Sequence, residues 1–180
     1  MLPITIPSVE LYDENREEFI STKEQTLQLE HSLVSLSKWE SKWHKPFLSK
    51  QEKSHEETID YIRCMTLTQN VDPNVYNYLT NENIKQINDY IDDPMTATTF
   101  SDDKKGKPSR EIVTAEVIYY WMIALNIPDK YEKWHLNKLL TLIKVCNLKN
   151  QPAKKMSKRE IMSRNAAINA ARRQQMNSKG

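Results

Sequence analysis

Nine consecutive residues, Val117 to Leu125 (VIYYWMIAL), are apolar or aromatic without exception. A helix written this way has no polar stripe to turn towards water, so something must cover it all round. A bilayer span needs roughly 20 such residues, so the run predicts a helix buried inside protein. Beyond the turn Asn126-Ile127-Pro128, the residues Leu136, Leu139, Leu140, Ile143 and Cys146 follow at offsets of three, four, seven and ten. That spacing is one stripe of a second helix. Leu142, Val145 and Leu148 widen it beyond what one contact needs. The two helices are expected to form the heart of a small domain and to leave apolar area over for a partner.

Only two glycines, Gly106 and Gly180, occur in the 180 residues. Phosphate loops of nucleotide-binding α/β folds need several, where backbone approaches ligand closely. Tight-turned sandwiches and barrels are disfavoured likewise, which leaves a mainly helical protein. Hydrophobic content is 38%, below the globular average of roughly 45–50%, so part of the chain adds nothing to a core. Residues 151–180 hold eight basic side chains against one acid, Glu160, a net +7. The whole chain carries +2, so residues 1–150 carry −5. The expected class is mainly α with a minor antiparallel β element (α+β). Residues 1–150 form a small helical domain with an amino-terminal β element, and residues 151–180 a basic, alanine-rich helical tail.

Ile4-Thr5-Ile6 lies between Pro3 and Pro7, and Thr26 to Glu30 alternates polar with apolar, which predicts paired strands with Glu14 to Glu18 in their connection. Leu33, Leu36, Trp39 and Trp43 mark an amphipathic helix ended by Pro46. Ser54 with Glu57 forms a capping box, and Asp72-Pro73 opens a short helix. Ile84, Ile87 and Ile91 align on a helix that Asp93-Pro94 stops. Met95 to Phe100 is β-prone and is expected to pair with Arg110 to Val113 across the loop 101–109, before Thr114 caps the apolar helix. In the tail, Ser157 and Glu160 make a capping box, and Ile161, Met162, Ile168 and Met176 are sparse anchors, so the helix is weakly docked.

No catalytic grouping stands out. His31, His44, His55 and His135 are scattered, and none shares metal-ligand spacing with Cys64 or Cys146, which read as small buried hydrophobes. Asp92-Asp93 and Asp102-Asp103 suit a helix end and a solvated turn. Hydrolase elbow, phosphate loop and dinucleotide fingerprint are all missing. Catalysis, metal and cofactors are therefore not expected. The first residues lack the basic and long apolar regions of a signal peptide, which predicts a soluble protein of a reducing cytoplasm. Trp39 and Trp121 sit at core spacing, whereas Trp43 and Trp134 border charged residues and suit half-buried interface positions. The tail admits three readings: a solvated extension, a protein-docking helix, or a nucleic-acid contact.

The stretch VIYYWMIALNIPDKYEKWHLNKLLTLIKVCNLKN, about a fifth of the chain, resembles the small, mostly helical tail assembly chaperones of long-tailed bacteriophages. Its aromatic-rich helix leads through an Ile-Pro turn to Trp-His-Leu-x-x-Leu-Leu. The end, MSRNAAINAARRQQMNSKG, is similar to basic, alanine-rich phage assembly proteins. The resemblance implies non-catalytic work in the host cytoplasm: coating the apolar tape-measure protein and recruiting tail-tube subunits, with no membrane and with room for a homo-oligomer. Such a chaperone needs an exposed apolar ridge flanked by charge. Trp134, Leu136, Leu139, Leu140 and Ile143 are the expected ridge, unless that face packs inside its own domain. Lys154, Lys155, Lys158, Arg159, Arg164, Arg172 and Arg173 are the expected second contact. A virion component such as a head–tail connector or neck subunit, and a small nucleic-acid-binding regulator, are the alternatives.

Overall fold

The computed structural model describes residues 1–13, 18–100, 112–150 and 157–176, with backbone alone over 9–13 and 18–22. The chain divides into two compact units, Met1–Asn147 and Leu148–Gly180. The division falls slightly before residue 150, inside the last turn of a helix.

Four short strands open the first unit: β1 (Leu2–Ile6), β2 (Val9–Asp13), β3 (Glu18–Thr22) and β4 (Gln25–Leu29). β1 pairs antiparallel with β4, from Leu2 opposite Leu29 to Ile6 opposite Gln25. β2 pairs with β3 in the same register, from Val9 opposite Thr22 to Asp13 opposite Glu18. The four strands are thus one long ribbon, interrupted at Pro7-Ser8, where proline has no N–H to donate. On the β1–β4 half, Ile4, Ile6, Leu27 and Leu29 are buried. Thr5 and Thr26 pair on the other face, hydroxyl to hydroxyl at 3.1 Å. That is the two-residue period of a half-covered strand pair. Of the connection expected at Glu14 to Glu18, Glu18 belongs to β3, and residues 14–17 lie outside the described residues.

Helices follow: α1 (Leu33–Trp43), α2 (His55–Met65), α3 (Asn81–Asp92), α4 (Ala115–Ala124) and α5 (Leu136–Asn150). Two 3-10 turns, Pro73–Tyr78 and Asp129–Lys133, lie among them. α1, α2 and α3 begin with capping boxes at Ser32, Ser54 and Thr80, each satisfying amides that the first turn leaves unpaired. The core joins Leu33, Leu36 and Trp39 of α1 to Ile62 and Met65 of α2, Ile87 of α3, Ile118 of α4 and Leu136 and Leu139 of α5. The second unit contains α6 (Lys158–Gln175), capped by Ser157 and Glu160 and without a buried residue.

Three expectations change. Met95 to Phe100 forms no strand. The Asp93 carboxylate accepts from the Met95 N–H and the Thr96 hydroxyl from the Thr98 N–H, so local side chains take donors a ladder would use. Arg110, its expected partner, and the loop 101–109 lie outside the described residues. Thr114 makes no side-chain cap on α4; the buried Glu40 carboxylate does so from α1, accepting from the Ala115 N–H at 2.7 Å. α4 is not covered all round either. Ala115, Ile118 and Met122 face the core, while Tyr120 is 66% and Ile123 76% exposed. Ten residues pack against α1 on one side, and nothing among the described residues covers the other.

Candidate partner-binding surface

The ridge expected on α5 is largely turned inward. Leu136 and Leu139 are fully sealed and Ile143 nearly so. The reason lies at the start of α5, which is stitched to the start of α1. The Leu136 N–H donates to the His31 carbonyl at 2.7 Å, and Ser32 bridges to His135. Asn137 donates to the carbonyls of Ile91 and Asp93, both at 2.8 Å, satisfying the open end of α3. With that turn fixed, the leucine stripe faces the core. Those three residues cannot be an exposed ridge. Trp134 and Leu140 remain half-buried. Trp134 lies against Tyr131 at 4.3 Å between ring centroids, with the Lys138 ammonium 4.4 Å from its ring.

The exposed apolar surface lies on α4 and before it. Ile112 (64% exposed), Tyr120 and Ile123 are open to solvent. Ile112 also lines a cleft of 530 Å³, with Leu48, Val113, Trp121 and Leu140, and with Lys50 at its edge. Periodicity missed this face because every position of 117–125 is apolar, so no contrast marks which side stays out. The usable signal was length: a short helix on a small domain has one neighbour layer, not two.

Of the basic residues, Lys158, Arg159, Arg164, Arg172 and Arg173 lie on α6, all exposed. Lys154 and Lys155 lie outside the described residues.

The strongest polar cluster is internal. His31 Nδ1 and the Tyr61 hydroxyl are hydrogen-bonded at 2.5 Å. The His31 and His135 rings meet edge-on at 5.1 Å. His135 Nε2 donates to the Tyr90 carbonyl at 2.9 Å, and its Nδ1 has no partner among the described residues. Burial, helped by the neighbouring His135, lowers the His31 pKa from 6.5 to about 3. Burial likewise raises Tyr61. Tyr90 is raised by burial and by its hydrogen bond to Glu30. His31, Tyr61 and Tyr90 are neutral at pH 7, and the cluster holds elements together. Among the described residues, no three His, Cys, Asp or Glu converge as metal ligands, and no helix is long and apolar enough to cross a membrane.

No protein family, curated protein or solved structure matches this chain. The α4 surface and the charged helix α6 are therefore the features on which a functional reading stands.

Proposed function

We propose that the chain is a non-catalytic assembly factor, of the kind found among the phage tail assembly chaperones it resembles. Its α4 face takes an apolar helix of a tape-measure protein, in the host cytoplasm. The observation that carries this reading is the open apolar pair Tyr120 and Ile123 on α4. Exposed Glu116, one helical turn before Tyr120, supplies charge beside the face that helps keep it soluble. An amphipathic helix lays anchors at i, i+3 and i+7 into a groove of this type. Recruitment of tail-tube subunits then falls to a second surface, for which the cationic helix α6 is the candidate.

Co-expression with tape-measure fragments tests the reading. The wild type keeps the fragment soluble and co-purifies with it, whereas the double variant Tyr120→Asp, Ile123→Asp does neither while retaining its helical circular dichroism. Undiminished binding by that folded variant rejects the α4 surface. The exposed cations of α6 favour one second reading, a nucleic-acid contact. It requires affinity that falls steeply as salt rises.

A further inference from the structure

We propose that the cleft between the start of α1 and the end of α2 docks an acidic segment of a protein partner, seating an apolar side chain between two carboxylates.

The cleft measures 460 Å³, and Val34, Lys38, Cys64, Leu67 and Lys133 are among the residues that line it. Ligand sites run from roughly 300 to 1,000 Å³, so it has room for a few side chains. Its floor is apolar. Val34 and Cys64 are half-buried, and Leu67, just past the end of α2, is 53% exposed. Covering that floor removes apolar area from water, which is the attractive part of the contact.

The rim is cationic. Lys133 stands two residues before His135, whose backbone bridges to Ser32, so it lies at the start of α1. Lys38 comes six residues after Ser32, roughly 9 Å further along α1 at 1.5 Å per residue. Val34 lies between them and shares a helix face with Lys38. Both lysines are exposed, and neither has a carboxylate partner among the described residues. In this they differ from Lys42 and Lys45, which pair with Asp60 and Glu57.

The polar groups deeper in the cleft are already committed. Glu30 accepts from the Tyr90 hydroxyl at 2.9 Å and pairs with the Met1 amino group at 2.8 Å. Ser32 and Ser35 satisfy each other's amides in the capping box of α1. Recognition therefore falls to the apolar floor and the two free ammonium groups. An acid with a single head group, such as a fatty acid, engages one lysine and leaves the other unpaired. A helical peptide meets both. Positions i and i+7 share a face about 10 Å apart, with i+3 and i+4 between them. Acids at the outer positions and a leucine at an inner one match rim and floor together.

A labelled peptide tests this by fluorescence anisotropy on the full-length chain. The probe is a capped, alanine-based 12-residue helix with glutamates at its third and tenth positions and leucines at its sixth and seventh. Wild type binds it saturably. Glutamine in place of both glutamates, or alanine in place of both leucines, weakens binding by about tenfold or more. Lys38→Glu with Lys133→Glu weakens the original probe as much, yet binds the version with lysines at the third and tenth positions, which shows that the variant is folded. In a Cys146→Ser background, saturating probe slows maleimide labelling of Cys64. Absence of saturable binding, equal affinity for either control peptide, undiminished binding of the original probe by the double lysine variant, or unchanged Cys64 labelling overturns the proposal. Decanoate that binds as tightly as the probe assigns the cleft to an acyl acid, and self-association that the double lysine variant abolishes assigns it to a second copy; either overturns the proposal. Ile123→Asp binds the probe as wild type does, and loss of binding in that variant places the peptide on α4 and overturns it too.

Discussion

At the scale of single residues, the buried polar side chains decide how this domain responds to acid and to truncation. His31 titrates near 3 in the folded chain and near 6.5 when unfolded. Between those values the unfolded chain binds a proton that the folded one refuses, so stability is complete above pH 6.5 and declines as pH falls below it. The slope approaches about 1.4 kcal/mol per pH unit, or about 2 kcal/mol between pH 6.5 and 5. The groups around the ring sharpen this. Burial keeps Tyr61 and Tyr90 neutral, and Glu30 is engaged by the Tyr90 hydroxyl at 2.9 Å. Urea unfolding at pH 7 and pH 5 measures the loss, and a His31→Gln variant that keeps the full slope refutes its assignment. Glu40 matters in a different way. Its two oxygens accept from the Phe47 and Ala115 N–H groups, each at 2.7 Å. Glu40→Ala strands both buried donors and costs about 3 kcal/mol of unfolding free energy, measured by urea denaturation. Nothing in the local sequence announces either role, because Tyr61 and His135 reach His31, and Ala115 reaches Glu40, from distant segments.

At the scale of elements, the stripes were legible and their directions were not. Leu33, Leu36 and Trp39 have the spacing of a buried face, and the structure buries them. Capping boxes at Ser54 and Ser157 form as their residue types require. The β1–β4 pair also follows from alternation, whereas β2 and β3 were not expected, and Glu18 belongs to β3 and not to the connection. Periodicity says that a helix has an apolar side; it does not say what lies against that side. α5 and α4 illustrate the gap, since the helix expected to be open is sealed and the helix expected to be sealed is open. The two helices thereby predict opposite mutational behaviour. Leu139→Ser removes a fully buried side chain and adds a hydroxyl among apolar neighbours, which costs roughly 2–5 kcal/mol. Ile123→Ser changes stability by less than about 0.5 kcal/mol, because the side chain is already in water. Thermal denaturation of the pair distinguishes them, and equal losses refute the assignment of inner and outer helix.

At the scale of the whole molecule, two kinds of surface ask for partners, and ionic strength separates them. The α4 face is apolar, so its contact depends on area removed from water, which excluded salts such as sulfate strengthen. The other is the exposed cationic helix α6. Screening shortens the reach of its charges from about 10 Å at 0.1 M salt to about 3 Å at 1 M. Raising sodium chloride across that range therefore leaves tape-measure binding on α4 equal or tighter. Calorimetric titration of the full-length chain reads the outcome. A binding affinity that collapses with salt instead moves the partner contact from α4 to the cations of α6. The uneven charge of the chain, −5 over residues 1–150 and +7 beyond them, then becomes the feature that selects the partner.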